Sequence, residues 1–514
     1  MSQLEVDKVI PQSGTTLTVG DSGDTVTFTS GANLSVDGTI KLDGNYPTGT
    51  ENVALGNTAL DSVQSGANLS VDGTIKLDGN YPTGTENVAL GNTALDSVEA
   101  GGNYNVAIGS SSLTTLTTGD NNTAIGFESL KVNTTANNNT AIGWCSMVAN
   151  TTGASNTSVG RDALVANTTG TNNVAVGAFS LDANTTADNN TGIGYGSLGA
   201  NTTGEELTAV GSEALDASTT ANSCTAVGHG ALGANTTAND NTAIGRKALH
   251  NNTTGLRNTA CGKNALFNNT TANHNTAVGS AALDDNTTGS ENTAIGYDTL
   301  GVSTTGTENT AVGAHALNAN TTADDNTAIG AESLGANTTG AGNTAVGKDS
   351  MDSNTTGSNN TAVGLDALQN NTTASNNTAL GHEAGNTISI GHSNTAIGAQ
   401  ALRNGNVSTC TAVGYRALNV ATASSNTAVG ADSLRQNTTG ANNVAVGHDC
   451  MDDNTSGSSN VAVGEGALEK NTDGNSNTAI GRNAIEGTTL LLVIKLYTQI
   501  RIVLMAIQVL VMNH

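Results

Sequence analysis

The sequence predicts an all-β chain, a repetitive parallel β-solenoid or β-roll built from 17-residue coils. Three observations carry that prediction. The first is a fixed period: the residue opening each repeat falls at 105, 122, 139 and onward to 477, every 17 residues except for two steps of 16 around Cys410. The second is a consensus with few constants, N-T-A-[IV]-G-x-x-A-L-x-x-N-T-T-[GA]-x-x, in 23 copies. The third is a composition too poor in bulky residues for a large globular core, with 2% aromatics and a single Trp beside 63 Gly. Such bias commonly marks disorder, but a disordered chain keeps no register of apolar residues. A short fixed period with few constant positions is the signature of a solenoid.

Each position of the coil has its own reading. A repeat of paired helices needs about 33 residues or more; 17 rich in Gly, Asn and β-branched residues make strands and turns instead. T-A-[IV] at positions 2 to 4 reads as a short strand and N-T-T-[GA] at positions 12 to 15 as a turn. Position 5 is Gly in all 23 copies, for example Gly126, Gly245 and Gly347, which marks a positive-φ turn or a close backbone approach. Position 4 is apolar throughout, as in Ile125, Ile244 and Val346. Position 9 is Leu, Met or Ile in 22 copies, as in Leu130 and Leu249, with Gly385 the exception. Positions 2 and 4 share one strand face, which is expected to point inward and meet Leu at position 9 from the opposite wall. Position 3, Ala in 21 copies, then forms a small outward face on which another chain packs. Asn at positions 1 and 12 is expected to stack into hydrogen-bonded ladders from coil to coil. At roughly 4.8 Å per coil the array makes a rod of roughly 110 Å.

The flanks differ. Residues 1–29 form a β attachment segment of alternating apolar and polar residues with D-G turns. Residues 30–99 are a tandem-duplicated 35-residue β module, Ser30–Gln64 repeated as Ser65–Glu99 with a change only in the last residue. The shaft of 23 repeats occupies 100–487. The apolar tail, 488–514, carries Lys495, Gln499, Arg501 and Gln508, which are costly in lipid, so membrane insertion is not expected. The tail has a sharper explanation. Read from the third base of each codon, Thr489-Leu490-Leu491-Leu492-Val493 is compatible with Asn-Thr-Ala-Ile-Gly, so the tail is expected to be the repeat translated out of frame. Met1–Gly14 lacks a basic segment followed by an apolar one, so no secretory leader is expected.

The sequence carries no constellation for catalysis, and no catalytic, cofactor-binding or metal residue is expected. The net charge of −26 disfavours nucleic acid, whose affinity comes from basic groups on phosphates. The scattered His residues form no HxH or HExxH, there is no GxSxG, and single carboxylates read as a solvated surface. Cys145, Cys224, Cys261, Cys410 and Cys450 form no CxxC and read as chance substitutions. Asn-Thr-Thr occurs 14 times and matches the glycosylation pattern, but a repeat needing Asn and Thr for turns creates it by accident. Phe127, Trp144, Tyr195, Tyr297 and Tyr415 all fall at position 6, where exposed rings are candidate glycan contacts.

The N-T-A-[IV]-G-x-x-A-L coil, from Asn105 to Ile485, resembles the head repeats of trimeric autotransporter adhesins, whose motif runs roughly NxxAVGxxAxA. That resemblance implies a homotrimer of left-handed parallel β-rolls. The opening LEVDKVIPQSGTTLTVGDSGDTVTFTSGA looks like the N-termini of tail-fibre proteins of marine tailed bacteriophages. That resemblance implies a structural virion fibre, anchored to a tail or baseplate protein through its N-terminus and carrying host attachment at a cell-surface glycan or protein. The alternatives are a surface adhesin of the autotransporter class, placed outside a bacterial cell, and a fibre-borne glycan depolymerase. The depolymerase would need paired carboxylates in a groove, which the sequence does not reveal.

Overall fold

The computed structural model describes residues 86–99 and 101–485. The expectations for residues 1–85 and for the apolar tail lie outside the described residues. Within them the chain is all-β, with 24 three-residue strands from β1 (Val88–Leu90) to β24 (Thr478–Ile480) and no helix. Each strand pairs in parallel with the next, in unbroken register. Where β10 (Thr242–Ile244) meets β11 (Thr259–Cys261), Thr242 faces Thr259 and Ala243 faces Ala260. The coil is therefore a β-solenoid turn of about 17 residues. β1 adds one strand ahead of the 23 repeats counted from Asn105, within residues 30–99.

Three hydrogen-bonded ladders run through the stack. At position 1, the Asn258 backbone N–H donates to Asn241 Oδ1 at 2.9 Å, and Asn258 Nδ2 donates to the Ala272 carbonyl at 2.8 Å. At position 12, Asn252 Nδ2 donates to Asn235 Oδ1 and to the Gly255 carbonyl, both at 2.9 Å. At position 13, Thr253 Oγ1 donates to the Thr270 carbonyl at 3.0 Å. The two Asn ladders are as expected. They are buried over most of the stack, and where Asn recurs each coil supplies a partner for the amide of its neighbour. All 14 Asn of the Asn-Thr-Thr stretches sit in this interior, including Asn133 and Asn437, so their amides are tied inside the folded coil.

The strand faces are reversed from the expectation. Ala at position 3 points inward: Ala124, Ala243 and Ala345 have no exposed surface. Positions 2 and 4 point outward, and Ile244 is 43% exposed. The cross-section gives the reason. The interior holds Asn241, Ala243, Ala248, Leu249 and Asn252 of a single coil, and that space leaves no room for a β-branched residue at position 3. The Ala face is thus the core and not a docking surface. Leu at position 9 lies inside as expected but meets Ala instead of Ile. At Gly385 the missing side chain is replaced by Ile388 from position 12, whose Cδ1 lies 3.0 Å from where a Gly385 Cβ would stand.

Tight turns close each coil. In the coil of Asn241, Lys247, Leu249 and Arg257 all have φ between 51° and 56°, a left-handed conformation unusual for side-chain-bearing residues. Gly245 precedes them at φ 130°. Both expected roles of this glycine hold at once, since a Cβ on it would lie 2.6 Å from the Gly262 carbonyl oxygen of the next coil.

Candidate functional site

The outward positions 6, 7 and 10 follow the strand and its glycine, and carry the variable side chains. The five position-6 rings are exposed and do not form one platform. Phe127 and Trp144, on adjacent coils, stack at 6.2 Å between centroids. Tyr195 instead meets Phe179 edge-on at 5.8 Å, Tyr297 meets His315, and the Arg416 guanidinium lies 4.7 Å from the Tyr415 ring centre. The repeat-position residues named from the sequence, Ile125, Gly126, Leu130, Ile244, Gly245, Leu249, Val346 and Gly347, are structural: strand, turn and core.

Among the described residues, two groups of potential metal ligands occupy equivalent places four coils apart. Asp366 joins His382 and Glu383, and Asp432 joins His448 and Asp449, with one ligand atom from each residue within 4.8 Å of the others. Sequence motifs missed them because the partners are one coil apart in the chain. In both groups a guanidinium already faces the acid. Glu383 accepts from Arg403 at 2.8 Å and from Gln400 at 2.9 Å, and Asp432 faces Arg416 at 2.8 Å. The five thiols are free, and all but Cys261 are buried. Burial pushes the Cys224 and Cys450 thiols up to about 11, away from the thiolate form that reacts.

Position 10 alternates along part of the stack: Asp182, Gly199, Asp216, Gly233, His250, and again Asp284, Gly301, Asn318, Gly335, Asp352. Over each glycine leans the position-10 side chain of one adjacent coil: Asp182 at Gly199, His250 at Gly233, Asn318 at Gly301 and Asp352 at Gly335. Asp284 shows the electrostatic cost. Its carboxyl is raised from 3.8 to about 6, first by burial and then by repulsion from Asp285 and Asp298. A raised carboxyl means that the folded state disfavours the charge. The penalty is absent below the unfolded value, grows between 3.8 and about 6, and is complete above. Asp284→Asn is therefore expected to stabilise the chain near neutral pH, and the gain should vanish below about pH 4. Urea unfolding of both proteins across that range checks it; a gain independent of pH would refute the electrostatic account.

Only two coils carry Gly at both positions 7 and 10, those with Gly196/Gly199 and Gly230/Gly233. The first forms an open notch of about 350 Å³, lined by Phe179, Tyr195, Asp182, Glu213 and Asp216 over Gly196 and Gly199. Tyr195 was named from the sequence; the other lining residues were not. The readable signal is a coil lacking both outward side chains, flanked at spacings of 17 by Asp.

A scan against models of known families gives no match, and a comparison with curated proteins gives none either.

Proposed function

We propose that the chain is a structural fibre protein, a stacked shaft that spaces a binding end from the particle or cell carrying it. The observation that supports this most is the outer face of the sheet. Positions 2 and 4 present Thr or Val and then Ile or Val on strand after strand, including Ile142, Ile193, Ile295 and Ile329, each 36–40% exposed. With 24 strands of three residues the face measures roughly 110 Å by 10 Å, about 1,100 Å². Its footprint exceeds the roughly 800 Å² each partner contributes to a stable interface, with the apolar row at position 4 running beside a row that is Thr in 19 of the 24 strands. The face supports side-by-side association of identical chains, and three copies around one axis is the arrangement we favour. It replaces the Ala face as the surface of contact. Several weak contacts presented on one rod then gain avidity through effective concentration.

In this reading residues 1–29 attach to a virion tail or baseplate, and the far end of the rod meets a host-surface glycan or protein. The test is sedimentation of the full chain against Ile244→Asp/Ile295→Asp. The expected result is a trimer that the paired carboxylates break into monomers. A wild-type monomer would overturn the reading. Detection of the chain in purified virions, as against a bacterial envelope fraction, separates the fibre from a surface adhesin.

A further inference from the structure

The notch over Gly196 and Gly199 is a built recess and not a consequence of the repeat. A Cβ on Gly196 would have no atom within 4 Å, and on Gly199 the nearest would be Asp182 Oδ1 at 3.3 Å. The second Gly-x-x-Gly coil provides an internal control. There His250, from position 10 of the next coil, folds over the glycines. Its Nδ1 donates to the Gly230 carbonyl at 2.7 Å, and a Gly233 Cβ would lie 2.7 Å from the imidazole. The residue equivalent to His250 at the open notch is Asp216, which is too short to fill it. One recess is thus plugged by a ring and the other stands open between two Asp residues and two aromatics.

We propose that this notch binds an organic ammonium group, an alkylated amine whose methyl or methylene faces meet Phe179 and Tyr195 while its charge faces Asp182, Glu213 and Asp216. The two rings stand nearly perpendicular, at 85°, and offer apolar contact from two directions. Phe179 already takes one cation, the Arg161 guanidinium, 4.5 Å from its centre. Three carboxylates line the recess and no Lys or Arg does. The neighbouring basic groups are Arg161, His229 at 3.8 Å from Glu213, and His250 beyond Asp216. A neutral sugar would leave those charges uncompensated. A metal ion needs converging ligands, and among the described residues triads of ligand atoms converge at the Asp366 and Asp432 groups and not at the notch. A diffuse charge on an apolar body suits the spread of the acids. Burial raises both Asp182 and Asp216, a penalty that a bound cation relieves.

The inference does not depend on the fibre reading, because it concerns one coil of one chain. The experiment is calorimetric titration of the full-length protein with choline chloride, with methyl glucoside and calcium chloride as parallel titrants. The wild type is expected to bind choline saturably, one per chain. Asp216→His, which transplants the plug of the neighbouring coil, should abolish binding while the circular dichroism spectrum stays unchanged. Asp182→Asn/Asp216→Asn should weaken it by at least about tenfold, as expected on losing charge-assisted contacts. Tyr195→Ala should weaken it as well. Absence of saturable choline binding overturns the proposal, and so does binding that survives Asp216→His. Methyl glucoside binding as tightly as choline, or calcium displacing choline, overturns it in favour of a sugar or a metal. These outcomes are read whether the chain sediments as one copy or three.

Discussion

Gly262→Ala is expected to destabilise the solenoid by roughly 2–6 kcal/mol, the sum of backbone strain and overpacking. Gly262 sits at φ 145°, where a side chain is disfavoured. An added Cβ would stand 2.3 Å from the Gly279 carbonyl oxygen and 2.5 Å from its carbon. Those atoms belong to the next coil's backbone and cannot rotate away. Relief requires lifting one coil from another, which breaks the ladder bonds beside it, such as Gly279 N–H to the Cys261 carbonyl at 2.8 Å. Gly481 is the control: it has a similar φ of 126°, and among the described residues an added Cβ would have nothing within 4 Å. Gly481→Ala should therefore carry the conformational penalty alone, about 1–3 kcal/mol. Hydrogen exchange of the coils flanking residue 262, together with denaturant unfolding, measures both. Equal costs at the two sites would show that stacking contact is not the reason for this glycine.

Ser303→Asn is expected to act in the opposite direction and stabilise by about 1–3 kcal/mol, the usual value of satisfying a buried polar group. Ser303 occupies position 12, where most coils place Asn. Its hydroxyl is too short to continue the ladder, and both Ser303 Oγ and Asn286 Oδ1 are buried without a hydrogen-bond partner. On the preceding side the ladder is intact, with Asn286 Nδ2 donating to Asn269 Oδ1 at 3.1 Å. The introduced amide would donate to Asn286 Oδ1 and accept from Asn320, whose Nδ2 now donates to the Ala323 carbonyl. The same residue fits at Asn252 and Asn337 among equivalent neighbours. A rise in the urea midpoint at unchanged slope is the expected result. No rise would mean that the Asn ladder gives register and no net stability. Ser218 also has an unpartnered Oγ, although the preceding Asn201 Oδ1 already accepts from the Gly204 N–H, and offers a second test with a smaller expected gain.

These two variants rest on features that were legible before any coordinates, because they follow from the period. A residue recurring every 17 positions lies above its own copy in a solenoid, so the constant glycine marked a positive-φ turn or a close backbone approach, and the recurrent Asn pointed to a ladder. Other features were not legible, for identifiable reasons. In T-A-[IV] neither strand face is charged, so the usual rule of apolar inside and polar outside does not choose between them. Size read alone pointed the wrong way, with the larger side chains assigned to the core. The deciding quantity is the width of the coil, and the turns set it through left-handed residues such as Lys247, Leu249 and Arg257. Leu249 sits in that conformation although Leu rarely adopts it, and its burial holds it there.

The candidate site was legible in one residue, Tyr195, and otherwise hidden. Asp182, Gly199 and Asp216 look like unrelated surface substitutions along the chain, and become neighbours when three coils stack. The same holds for Asp366 with His382 and for Asp432 with His448. By itself the sequence determined the solenoid, its strands, its turn glycine and its Asn ladders, since each depends only on what recurs. Only the tertiary structure decided which strand face is buried and which departures from the repeat stand side by side. Those depend on the volume enclosed by a closed coil and on contacts between residues one or two coils apart, and neither is a property of a local stretch of chain.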